Sequence, residues 1–273
     1  MFFALPLHDN RVECQTANTL IEALAGYPNR TTDVDTWVWF NSSALCLTFN
    51  SLWARFYERW RQGLADVFVM LHSDIEVTGH PYEDQNRPWV DFLVDTAIEN
   101  DMVCLSVANA IKSREGHTSV AMGHGEWSQR RLSFTDLELL PPTFDDTDFI
   151  RATGTTLLVN TGCMVLVPHD SWAHEFQFEF HDRIVTSPDG KKVPQMAPED
   201  WNMSRFFHAR NLCYGATREI ETLHYGKIGF PNYDDGSGFY EQGGALIPTV
   251  SEDIPSTKEK GAKKKKGGKN VRL

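Results

Sequence analysis

The sequence predicts an α/β fold with a mostly parallel central sheet, and three observations predict it. Apolar runs of strand length alternate along the chain with segments of helical period. Val67-Phe-Val-Met-Leu71 is a continuous apolar run, as expected of a strand buried on both faces. Met102–Val107 reads as a second buried strand, and the helical stretch Pro88–Ile98 lies between the two.

Phe2–Leu7 reads as the first strand. Ala17, Leu20, Ile21 and Leu24 recur at helical spacing and stop at Gly26-Tyr-Pro28, a helix terminator. Thr36–Phe40 is rich in β-formers. Phe49, Leu52, Trp53, Phe56 and Trp60 line one face of an amphipathic helix ending near Gly63. Pro88–Ile98 reads as helix. Residues 112–130, rich in Gly and His, are expected to be loop. A β-rich stretch over Thr155–Val167 is interrupted by Asn160-Thr-Gly162, and Ser187–Lys192 is a hydrophilic loop. Glu199–Leu212 reads as a helix, with Pro198 just before it and acids in its first turn. Arg218–Leu223 is a last short strand ending at His224. From Tyr233 onward Gly, Asp and then Lys dominate, and that end is expected to be disordered.

At roughly 100–200 residues per domain, 273 residues make one large domain or two small ones. The net charge of −11 is unevenly spread. Residues 256–273 hold eight bases against the single acid Glu259, a net of +7, so residues 1–255 carry −18. That excludes a uniformly basic nucleic-acid-coating protein and suits an acidic enzyme with an electrostatic tether. No apolar run reaches the ~18–20 residues of a membrane helix. The N-terminus lacks a basic region and meets Pro6 and His8 early, making it a poor signal peptide. The cysteines are five, dispersed and never spaced Cys-x-x-Cys, so neither a disulfide framework nor a zinc knuckle is expected. The default compartment is the cytoplasm.

The sharpest chemical signal is Asp74-Ile-Glu76, directly after the buried strand ending at Leu71. Open α/β sheets bind ligands at the carboxyl ends of their strands. Spacing of two in an extended segment points both carboxylates the same way, so that they can share one hard divalent cation. The alternative is ordinary strand-end capping.

Phe3-Ala-Leu-Pro-Leu-His8, then Asn50-Ser-Leu-Trp-Ala-Arg55 within a helix, then Val67-Phe-Val-Met-Leu-His-Ser-Asp74-Ile-Glu76 resemble, in that order, the nucleotide-binding half of glycosyltransferases with the A-type fold. The resemblance covers about residues 2–230 and implies a single Rossmann-like domain. Residues 1–110 would be its nucleotide-sugar half and 111–230 its acceptor half. Residues 231–255 follow as a flexible segment or lid, and 256–273 as the disordered lysine tail. In that family an Asp-x-Asp motif holds Mn²⁺ or Mg²⁺ against the donor's diphosphate. Here Asp74 and Glu76 would take that place, with Glu as the second acid, and His224 in Leu223-His-Tyr-Gly226 matches the late histidine that completes the metal site. Glu199-Asp200-Trp201 is similar to the acid pair beside the acceptor, with Asp200 as candidate base and Glu199 as its orienting neighbour. Pro6, Leu7 and His8 would line the nucleoside pocket, or form an ordinary turn. Asn50 and Arg55 would reach base or diphosphate, or stay on the helix surface; Ser73 and Asp74 would lie beside the diphosphate. Asp9 and Arg11 are similar cases. His117 and His124 would touch the donor sugar, or lie in a solvated loop. Trp172 and Trp201 would stack on an acceptor, or pack in the core.

The implied activity is metal-assisted transfer of a sugar from a nucleoside-diphosphate sugar to an acceptor hydroxyl, with inversion favoured. Four consecutive lysines, Lys263–Lys266, suit a DNA acceptor, and viral enzymes that glycosylate hydroxymethylated pyrimidines are the nearest analogy; the alternative is a solubility tail. Rival readings are a sugar-phosphate nucleotidyltransferase, a metal hydrolase, and a protein that binds nucleotide sugar or nucleic acid without turnover. The first lacks its Gly-rich N-terminal run. The second lacks any His-x-x-x-His or His-Glu-x-x-His spacing among the ten histidines.

Overall fold

The computed structural model describes residues 1–7, 10–113, 115–125, 127–226, 228–232, 238–241 and 246–248. Its elements run β1 (Phe2–Leu7), α1 (Cys14–Leu24), β2 (Thr36–Asn41), α2 (Leu45–Arg61), β3 (Phe68–Leu71), β4 (Ile75–Gly79), α3 (Trp89–Glu99) and β5 (Cys104–Val107). There follow β6 (His117–Gly123), β7 (Gln129–Ser133), α4 (Phe134–Glu138), β8 (Thr143–Asp145), α5 (Asp146–Thr153), β9 (Thr156–Leu158) and β10 (Cys163–Leu166). The last are β11 (His181–Thr186), β12 (Lys192–Ala197), α6 (Glu199–Ala209), β13 (Tyr214–Thr217), β14 (Glu221–Tyr225), β15 (Ile228–Pro231), β16 (Gly238–Glu241) and β17 (Leu246–Pro248).

The central sheet has seven strands in the order β2-β1-β3-β10-β5-β13-β8. Five of them, β2, β1, β3, β5 and β13, run the same way, while β10 and β8 oppose their neighbours. The mostly parallel α/β architecture is thus present. β10 comes from the second half of the chain yet lies between β3 and β5 of the first, so both halves share one sheet. Its continuous apolar sequence, Cys163-Met-Val-Leu166, reflects burial on both faces, which a parallel and an antiparallel strand enjoy alike. Pro6 sits in β1 beyond Ala4, the last β1 residue paired with β3, so its missing N–H costs no bond on that side.

Alternation along the strands divides the core in two. Phe2, Ala4, Phe68 and Met70 face α2 and the aromatic cluster Trp53, Trp172, Phe176 and Phe207. Phe3, Val67, Val69 and Leu71 face the other side, against Trp89, Val90 and Leu93 of α3. Trp172 stacks on Trp53 with ring centroids 5.9 Å apart and is 1% exposed. It belongs to the core and is not available to stack on an acceptor.

Three expectations are corrected. The stretch 112–130 is not mainly loop: β6 and β7 form a hairpin extended by β9. Its glycines mark bends, Gly116 and Gly125 both having positive φ. The last strands of the body are β13 and β14 in place of one strand over Arg218–Leu223, with β14 pairing antiparallel to β4. Beyond β14 the sheet continues through β15, β16 and β17, so parts of the segment expected to be a flexible linker or lid are strands. His8, Asp9, residues 233–237 and the tail 256–273 lie outside the described residues. No helix among the described residues is long and apolar enough to cross a membrane.

Candidate active site

β3 ends at Leu71, and a turn through His72-Ser73-Asp74 leads into β4. Two backbone bonds fix that turn: His72 N–H donates to Gly162 O (2.7 Å) and Tyr225 N–H to Asp74 O (2.7 Å). Gly162 makes the close approach possible, because a Cβ there would lie 2.7 Å from Ile75 Cδ1 and 3.0 Å from Asn160 Oδ1.

Beneath the turn lies a buried polar network. Asn160 donates to Val107 O (2.7 Å) and Ser119 Oγ (2.7 Å), and its Oδ1 accepts from Gly162 N–H (2.8 Å) and Asn109 Nδ2 (3.1 Å). Thr222 Oγ in turn donates to Asn109 Oδ1 (2.9 Å). A network so fully paired locks the loops after β5 and β9 together. Asn109 and Lys112 escaped sequence reasoning, although both follow the carboxyl end of β5, where the rule that pointed to Asp74 would also have found them.

Asp74 is partly exposed. One carboxylate oxygen pairs with Lys112 Nζ, and the other faces His224 Nε2 at 3.6 Å. The second ring nitrogen of His224, Nδ1, contacts Ala110 O at 2.8 Å. A carbonyl only accepts, so Nδ1 carries a hydrogen, and Nε2 is the ring nitrogen turned to the Asp74 carboxylate. With the ring protonated the two form an ion pair; with Nε2 deprotonated they are two electron-pair donors that can hold a cation between them. Burial alone would raise the Asp74 pKa, but His224, His72 and Lys112 hold it well below the ordinary carboxylate range. His72 is pushed down to about 4, mainly by burial, and its Nε2 has no hydrogen-bond partner among the described residues.

Glu76 does not join this group. Its Oε2 accepts the Tyr225 hydroxyl at 2.5 Å. Tyr225 and His224 are neighbours on β14, so their side chains leave opposite faces. Asp74 precedes the first residue of β4 and lies in the turn, where strand alternation does not bind it. It turns to His224 while Glu76 stays with Tyr225.

Two protein ligands, one carboxylate and one imidazole, suit a small divalent cation that completes its shell with phosphate oxygens and water. Among the described residues no group of three or more His, Cys, Asp and Glu could hold a metal unaided.

The second acid pair opens α6. Ser204 of α6 accepts Val159 N–H at 2.9 Å, tying the helix to the strand that leads into Asn160-Thr-Gly162. The turns bearing Asp200 and Asp74 are therefore both anchored on residues 159–162. Asp200 is pushed up to about 7 by burial and by Glu199, against smaller opposing effects from Trp201 N–H and Arg131. Trp201 N–H donates to its Oδ1 (2.8 Å). Glu199 is also raised, by burial. Trp201 is buried beneath the Arg131 guanidinium, 5.4 Å from the ring centroid.

No family model matches this sequence, and no curated protein matches it. Among solved structures, A197 from STIV is similar, at 12% identity and a TM-score of 0.44, with 90% of this chain and 92% of that chain covered. At that distance the likeness says nothing about function.

Several expected binding residues have other work. Asn50 clasps the backbone of Phe178, donating to its carbonyl (2.9 Å) and accepting its N–H (2.8 Å). Asn50 thus holds a loop, and its amide is spent there. The Arg55 guanidinium lies 5.8 Å from the Phe40 ring centroid, in a concavity of about 600 Å³ along β2 that also includes Asn10 and Asn41. Pro6 and Leu7 are buried at the end of β1 beside Phe40 and Asn41. Ser73 is half-buried, and its carbonyl accepts Glu13 N–H (2.9 Å). His117 pairs with Glu115 at 3.3 Å, and exposed His124 lies at the turn between β6 and β7.

Proposed function

We propose that the chain is a metal-dependent glycosyltransferase of the A-type fold, moving a sugar from a nucleoside-diphosphate sugar to an acceptor hydroxyl. The reading rests chiefly on the facing of His224 Nε2 and Asp74 Oδ1 at the carboxyl end of a parallel strand, with His224 Nδ1 engaged by a backbone carbonyl. A divalent cation bound there supplies charge neutralisation at the diphosphate of the donor.

The chain's own residues do the rest. Asp74 and His224 hold the cation's site, and the Lys112 ammonium adds positive charge on the same side. Asp200 Oδ2 takes the proton of the acceptor hydroxyl as its oxygen bonds to the anomeric carbon. The bond from that carbon to the diphosphate oxygen breaks, and its electron pair leaves with the nucleoside diphosphate. A base held near 7 is matched to this task at neutral pH. Direct attack of this kind inverts the anomeric centre. A DNA acceptor recruited by the lysine tail is part of the proposal, since an acidic body needs a basic element to approach phosphate.

The test is incubation with Mn²⁺ and a panel of nucleotide sugars, with and without hydroxymethylated DNA, followed by assay of released nucleoside diphosphate and of nucleoside mass. Release that depends on the metal and is lost in Asp74→Ala is expected. No turnover and no metal-dependent nucleotide binding with any donor would overturn the reading.

A further inference from the structure

β2 is the outermost strand of the central sheet, and among the described residues no strand pairs with its outer edge. Every second residue of a strand turns its N–H and C=O to one side, so this edge presents a row of unpaired backbone groups. Its sequence, Thr-Trp-Val-Trp-Phe-Asn, carries none of the usual blunting devices: no lysine, no proline, no bulge. Val38 and Phe40 pack inward on the core. Trp37 and Trp39 alternate with them and stand on the open face, 47% and 53% exposed. Two neighbouring exposed tryptophans on an unpaired six-residue edge are costly to leave in water.

We propose that this edge is a self-association surface, on which β2 of a second copy pairs antiparallel across a two-fold axis at Val38. A two-fold axis perpendicular to the sheet makes the paired strands antiparallel, and residues directly opposite one another share a face. Those two conditions require the central residue to face itself. Centring on Val38 places Trp37 of each copy opposite Trp39 of the other, so that both indoles of both chains form cross-strand aromatic pairs. Centring on either tryptophan would leave the other opposite Asp35 or Asn41.

Charge agrees with this register. The amino end of β2 follows exposed Asp33, with Asp35 beside it already held by Arg59 of the same chain, whereas Arg55, which forms no ion pair among the described residues, lies beside Phe40 at the carboxyl end. Antiparallel pairing sets Thr36 opposite Phe40, bringing Arg55 of one copy toward the acidic end of the other. The contact is small beside the roughly 1,200–2,000 Å² of a standard stable interface, so the association is reversible and depends on concentration.

Sedimentation velocity on the full chain, from micromolar to submillimolar concentration, tests the proposal. A monomer–dimer equilibrium is expected, with a circular-dichroism exciton couplet from paired indoles growing in step with the dimer. The double substitution Trp37→Lys/Trp39→Lys changes only the open face. It should weaken association at least about tenfold and leave the melting temperature of the monomer nearly unchanged. A single monomeric species at every concentration would overturn the proposal, as would a dimer of native affinity in the double variant. Dimerisation that appears only after removal of residues 249–273 would also overturn it, because the edge would then be covered by the chain's own end.

Discussion

His224 Nε2 faces Asp74 Oδ1 across 3.6 Å, although the two residues come from opposite halves of the chain. β14 brings them together by pairing antiparallel with β4, His224 lying opposite Ile75. Because Nδ1 of the same ring is engaged with Ala110 O, the orientation of the imidazole is set before any ligand arrives. Asp74→Ala and His224→Ala should each reduce Mn²⁺-dependent nucleotide binding about 10–100-fold, measured by calorimetry with and without chelator. Glu76→Gln should reduce it far less, since Glu76 is bonded to Tyr225 on the other face. Equal losses in Glu76→Gln and Asp74→Ala would show that both carboxylates reach the metal.

Asp200 is expected to control the pH profile. With its pKa at about 7, the base form gains population as pH rises, so kcat/KM should climb through neutrality and level off above it. Asp200→Asn should abolish that limb and lower transfer about 10²–10⁴-fold while leaving donor binding intact. An unchanged rate would remove Asp200 from the base role.

The same residue has a consequence for stability. Its folded pKa lies above the unfolded carboxylate value, so the folded state binds the extra proton and loses stability as pH rises from about 4 to about 7. Asp200→Asn should therefore melt higher than the native chain at pH 8, by about 2–4 °C per kcal/mol relieved. The difference should shrink toward zero at pH 4. Thermal melts across that range check it, and a gain independent of pH would refute the cause.

Gly162→Ala tests the link between the Asn160-Thr-Gly162 loop and the Asp74 turn. The added Cβ meets Ile75 Cδ1 at 2.7 Å and Asn109 Nδ2 at 3.1 Å, so about 1–3 kcal/mol of stability should be lost and nucleotide binding should weaken. Ile75→Val removes the nearest atom and should restore part of both. Denaturant melts and binding titrations of the single and double variants decide this.

Asn50→Ala should leave nucleotide binding unchanged and cost about 1–3 kcal/mol, because it orphans the backbone N–H and carbonyl of Phe178. A selective loss of nucleotide affinity would return Asn50 to the binding site.

The sequence by itself determined the α/β class, the order of β1, α1, β2, α2, β3, α3 and β5, and the polar residues set directly after β3. Each rests on local information: apolar runs for buried strands, helical period for α1, α2 and α3, and polar residues directly after a strand end. Only the tertiary structure decided which partners those residues have. The pattern Asp-Ile-Glu predicts two carboxylates side by side, but that rule holds within a strand and Asp74 stands one residue outside β4. Asn50 reads as a surface polar residue in a helix, and only the path of a distant segment shows that Phe178 claims it. The direction of β10 was equally hidden, because burial on both faces gives the same apolar run whichever way the strand points. Periodicity reports how much of a residue is buried. Pairing across the sheet reports what it is buried against, and at Asp74 and His224 that is what makes a site.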